Sequence, residues 1–89
     1  MPKKEKRLQK MRRNKYAVSY SDYVSILEDY GYDVSKRKGS HRGAKVTIGD
    51  QTWRLTFVEP HGSRKFMHPE AVKELLAQID EIEEARGHE

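Results

Sequence analysis

The chain has 89 residues, 36% of them charged, a formal net charge of +4 and no cysteine. That length allows one small domain, and the missing cysteine excludes disulfides, thiolate catalysis and Cys-based zinc sites. No run approaches the roughly 20 apolar residues that span a bilayer, and the basic start is not followed by an apolar stretch, so no membrane partner and no signal peptide are expected.

Charge is unevenly spread. Residues 1–16 hold eight Lys/Arg and one Glu, whereas residues 69–89 hold two Lys/Arg and seven Asp/Glu. Such a gradient attracts a polyanion to one end and repels it from the other; nucleic acid is the simplest candidate. Together with the absence of cysteine, this fits a cytoplasmic protein.

In chain order, residues 1–16 read as a basic, flexible arm, disordered or a frayed helix when free. Leu8 and Met11 are its only large apolar residues before Tyr16, too few for a core-facing stripe. The main domain is expected over residues 17–85, with 86–89 as a tail. Its first helix starts near Ser19 or Ser21, either of which can cap it, with Asp22 in the first turn. Tyr23, Ile26, Leu27 and Tyr30 form one apolar face at i, i+3, i+4 and i+7, and Gly31 ends the helix.

Three strands follow. Tyr32, Val34 and Lys36 alternate with Asp33, Ser35 and Arg37 in the first; Ala44, Val46 and Ile48 alternate with Lys45 and Thr47 in the second. Gly49-Asp50 signals a two-residue turn. The third spans Thr52 to Val58, with Trp53, Leu55 and Phe57 on the packed face. Residues 59–65 read as a loop, and a second helix opens at His68-Pro69. Its stripe is Val72, Leu75, Leu76, Ile79 and Ile82, and its acidic end, residues 80–84, is expected to be solvated, the alternative being that it faces a basic partner or the chain's own arm. Helix, three strands, helix gives an α+β two-layer sandwich, α-β-β-β-α, of the kind seen in double-stranded-RNA-binding domains.

The chemistry concentrates in Lys36-Arg37-Lys38-Gly39-Ser40-His41-Arg42. Cleaving a phosphodiester needs a proton acceptor and positive charge on the phosphoryl oxygens. Histidine is the side chain best suited to move a proton near neutral pH, and lysine and arginine supply the charge. Against this stands a plain solvated basic turn with an incidental histidine. Other catalytic patterns fail: there is no Walker loop, no Gly-x-Gly-x-x-Gly and no His-Glu-x-x-His or zinc-finger spacing.

Three segments resemble the HicA family of toxins, the RNase half of a bacterial toxin–antitoxin pair. They are Ile26-Leu27-Glu28-Asp29-Tyr30-Gly31-Tyr32, the Gly-Ser-His signature in Arg37-Lys38-Gly39-Ser40-His41, and Val72-Lys73-Glu74-Leu75-Leu76. Where many relatives carry a Pro-Arg-His-type segment after the third strand, this chain reads Glu59-Pro60-His61-Gly62. The resemblance implies an endoribonuclease acting on mRNA, with no cofactor and no required metal, and a HicB-type antitoxin as partner.

It also implies that His41 is the catalytic base. Lys36, Arg37, Lys38, Gly39, Ser40 and Arg42 are then the expected RNA-binding residues. Among these, the glycine lets the backbone approach closely and the serine can donate a hydrogen bond. His61 is the candidate second proton shuttle; His68 and His88 receive no role. The alternative is a non-catalytic RNA-binding or protein-interaction module on the same fold.

Overall fold

The structure is a computed structural model that describes residues 3–87. Its elements run α1 (Lys3–Arg13), α2 (Tyr20–Asp29), β1 (Asp33–Lys36), β2 (His41–Ile48), β3 (Gln51–Val58) and α3 (Pro69–Gly87). This is an α+β chain with one antiparallel three-stranded sheet in the order β1-β2-β3.

Ser19 caps α2, its side chain accepting the Asp22 N–H. This satisfies one of the donors that a helix start leaves unpaired. At the other end the Arg86 guanidinium donates to the Tyr30 carbonyl at 3.0 Å, so α3 closes the C-terminus of α2. His68 caps α3 through Nδ1, which accepts the Glu70 N–H at 3.1 Å.

The register fixes the faces of the sheet. Arg42, Ala44 and Val46 of β2 stand opposite Phe57, Leu55 and Trp53 of β3, and all six are buried. On that face lie the fully buried Tyr23, Ile26 and Leu27 of α2 and Val72, Leu75, Ile79 and Ile82 of α3. Each such side chain contributes about 1.5–3 kcal/mol on burial. Among the described residues, no helix covers the opposite face, where His41, Lys45, Arg54, Thr56 and Val58 are exposed.

Two expectations are amended. Residues 1–16 were expected as a flexible arm, disordered or a frayed helix, and residues 1 and 2 lie outside the described residues. Lys3–Arg13 form a helix that is packed rather than frayed, so the order gains an element before the expected α-β-β-β-α. Met11 is only 2% exposed and Leu8 packs against the core. Two apolar residues three apart are enough here because the receiving surface is already built by α2 and α3. The acidic residues at 80–84 are exposed, and two of them also reach inward: Asp80 accepts from Arg12 of the N-terminal segment at 2.7 Å, the expected alternative, and Glu83 accepts the Tyr30 hydroxyl. The charge gradient along the sequence is thus partly closed within the molecule.

Candidate functional site

The basic run forms the β1–β2 hairpin. The His41 N–H donates to the Lys38 carbonyl at 3.2 Å, a four-residue turn with Gly39 and Ser40 at its centre. Gly39 has φ +65°, while Ser40 does not enter the left-handed region. A positive φ at the first central residue alone is the type II′ pattern, which matches the twist of the flanking strands and calls for glycine there.

Alternation along the strands then splits the run between two faces. His41 begins β2 and is exposed on the open face, opposite Val58 of β3. Arg37 donates its N–H to the His41 carbonyl at 2.9 Å and reaches the same face. Its guanidinium lies over Gly43, so a Cβ built at Gly43 would fall 2.5 Å from Arg37 Nε. Any side chain at that position would displace the arginine. Among the described residues no hydrogen bond or ion pair engages the Arg37 guanidinium or the His41 ring.

The expected RNA-binding set therefore divides. Arg37 and His41 come together on the open face. Lys36 pairs with Arg42 in register, on the face turned toward the helices, although Lys36 itself remains exposed. Lys38 and Gly39 lie exposed in the turn; Ser40 is half-buried, and its carbonyl accepts the Glu59 N–H at 2.9 Å.

Arg42 contradicts its expected role. It is 9% exposed, with Nη1 donating to the carbonyls of Gly39 and His41, each at 2.9 Å, and Nη2 reaching Glu59 Oε1 at 3.3 Å. All three acceptors are protein groups, so this guanidinium holds the hairpin and the end of β3 together, and its burial turns it away from a phosphate on the open face.

His61 is exposed, three residues beyond Val58, in the loop that leaves the sheet at the end where β2 begins. Its carbonyl accepts from the Arg64 N–H. His68 is taken up by the α3 cap, and His88 lies outside the described residues.

The open face also holds residues that the sequence reading gave no role. In register, Ser35, Gly43 and Thr56 form the row next to His41, and Asp33, Lys45 and Arg54 the row beyond. These two rows and Arg37 border an open groove of about 500 Å3. Strand alternation is the signal for them, since Lys45 falls four residues from His41 on the same face.

Burial argues against Tyr23, Tyr30 and Tyr32 as proton acceptors. The phenols of Tyr23, Tyr30 and Tyr32 are all pushed well above their ordinary range, chiefly by burial; Glu74 adds to it at Tyr23, the hydrogen bond to Glu83 at Tyr30 and Glu81 at Tyr32. Among the described residues no group of three His, Asp or Glu side chains is placed to share a metal ion, and no helix is long and apolar enough to cross a membrane. Compared with protein-family models, curated proteins and solved structures, the chain finds no match.

Proposed function

We propose that this chain is a HicA-like endoribonuclease that cleaves mRNA at the open face of a double-stranded-RNA-binding-domain-like sheet, with His41 as general base. The observation that carries the reading is an exposed imidazole at the first residue of β2, beside an unpaired guanidinium on the same face. A proton acceptor and a cation that both reach solvent at one sheet end are what attack on a bound phosphodiester requires.

In the proposed step His41 takes the proton of a ribose 2′-hydroxyl as that oxygen bonds to the adjacent phosphorus. The bond from phosphorus to the 5′-oxygen breaks, and the leaving oxygen takes a proton from water or from His61. The upstream fragment keeps a 2′,3′-cyclic phosphate. Arg37 offsets the charge that builds on the phosphoryl oxygens, and Lys38 in the turn is the next cation available. The reaction is proposed to run in the cytoplasm without a cofactor or metal, and a HicB-type antitoxin would neutralise the enzyme by covering this face. Val58, 45% exposed beside His41, gives such a cover an apolar contact.

One observation favours a second reading, a non-catalytic RNA-binding or protein-interaction module. No carboxylate or carbonyl orients the His41 ring among the described residues, whereas catalytic imidazoles are usually held by such a partner. Purified His41→Ala protein separates the two. The nuclease reading expects cleavage to vanish while RNA binding largely persists; a wild-type protein that binds RNA and never cuts it favours the module.

A further inference from the structure

We infer that the groove between Arg37, Lys45 and Arg54 is a second phosphate subsite, which holds a single-stranded RNA along β2 on one side of the His41 position. The inference rests on reading the open face as an RNA site, and it stands apart from whether His41 cuts.

Lys45 and Arg54 are direct cross-strand partners on the open face. Like charges placed opposite one another on adjacent strands oppose each other, so the pair costs stability unless an anion lies between them. Asp33 flanks Lys45 on its other side, yet no ion pair joins the two, and none engages Lys45 or Arg54 among the described residues. The surface arginines Arg7 and Arg12, by contrast, do have carboxylate partners on their own chain.

The row between them makes room for a ligand. Gly43 has no side chain, and its neighbours across the sheet are the short hydroxyls Ser35 and Thr56. The Arg37 guanidinium leans over this gap from the His41 row. Cations thus stand at both ends of a shallow trough floored by small residues. Lys45 lies four positions along the strand from His41, a span of about 13 Å, so a chain whose scissile phosphate sits at His41 brings a more distant phosphate over Lys45 and Arg54.

The occupant is one strand, not a duplex. Double-stranded RNA is gripped across successive minor grooves, and this face offers one compact group of three cations, Arg37 beyond β1, Lys45 on β2 and Arg54 on β3. Among the described residues its strands place no Phe, Tyr or Trp on it, because Trp53 and Phe57 point to the core. Without a ring on which to stack bases, the groove follows the phosphates and is indifferent to sequence.

Binding to a 2′-O-methyl oligoribonucleotide of roughly 12 nucleotides tests the subsite without cleavage, because that probe lacks the nucleophilic hydroxyl. Affinity is measured against salt for wild type, Lys45→Gln, Arg54→Gln and, as an equal-charge control on α3, Lys73→Gln. Each groove variant is expected to lower the salt slope by about 0.7 and to weaken binding roughly three- to fivefold, while Lys73→Gln tracks wild type. The groove variants should melt no lower than wild type, since each relieves a like-charge contact. Unchanged slopes in both groove variants, equal losses in all three variants, or no wild-type binding would overturn the subsite, and tighter binding to a duplex probe would overturn its single-stranded occupant. Cleavage of ordinary RNA by wild type is scored separately. Weakened groove variants with no cleavage keep the subsite and defeat the nuclease; cleavage with unchanged groove variants does the reverse.

Discussion

Arg37 lies across the backbone of Gly43, with its Nε 2.5 Å from where a side chain on Gly43 would begin. The missing side chain is what lets a guanidinium rest on the open face of the sheet between His41 and the Lys45–Arg54 pair.

Gly43→Ala tests that relationship. The atoms a new methyl would meet are the far end of an exposed, flexible side chain, which can swing away at little cost. Alanine also suits a strand interior better than glycine, by about 0.5–1 kcal/mol. The variant should melt at or slightly above the wild-type temperature and bind RNA more weakly. A large loss of stability would mean that the backbone, not Arg37, gives way.

Arg42→Met should act the other way. It leaves the Gly39 carbonyl and the Glu59 carboxylate without this donor, while the His41 carbonyl keeps the Arg37 N–H. Urea unfolding is expected to show a loss of about 1–3 kcal/mol, with RNA binding by the remaining folded protein little changed per molecule. A wild-type stability with weakened RNA binding would return Arg42 to the phosphate-binding set.

Met11→Ala removes a fully buried side chain of α1 and should cost about 2–5 kcal/mol. Asp80→Asn, which breaks the solvent-exposed pair with Arg12, should cost about 0–1 kcal/mol. Deleting residues 1–16 should therefore lower the melting temperature as well as removing positive charge. If the truncated chain melts like the full one, α1 is not part of the fold's support.

Three raised phenols set a pH limit. Burial holds the folded-state values of Tyr23, Tyr30 and Tyr32 above the unfolded value of about 10. Their contribution is fully present below that value and is lost as pH rises through the folded-state values. The urea midpoint should thus fall as pH is raised above about 10, and Tyr32→Phe should flatten that fall. A midpoint that is flat in this range would contradict the burial of these hydroxyls.

Much of the fold was legible because the apolar periods are clean. Tyr23-Ile26-Leu27-Tyr30, the Trp53-Leu55-Phe57 alternation and Val72-Leu75-Ile79-Ile82 mark their elements and inward faces, and all of these residues are buried. The packing of the first helix was not legible. Its support is one deeply buried methionine and a half-buried leucine, and only the tertiary surface beneath makes those two sufficient.

The site was legible in part, for a similar reason. His41 and Arg37 stand together as their spacing across a tight hairpin allows. Treating residues 36–42 as one cationic cluster missed that the second strand begins at His41, three residues earlier than its apolar alternation marks. Once the strand is extended, alternation sends Lys36 and Arg42 to the other face and brings Lys45 and Arg54 onto the face of His41. Arg42's three acceptors come from Gly39, His41 and Glu59, a combination that only the closed sheet assembles.

The central claim is that the exposed His41 imidazole deprotonates a ribose. It is tested most directly by incubating purified wild-type and His41→Ala protein with end-labelled RNA in chelator and analysing the product ends. The account predicts fragments that end in 2′,3′-cyclic phosphate from wild type and none from His41→Ala, with both proteins folded and both binding the uncleavable probe. Cleavage that survives in His41→Ala, or wild-type protein that holds the RNA intact, would contradict it.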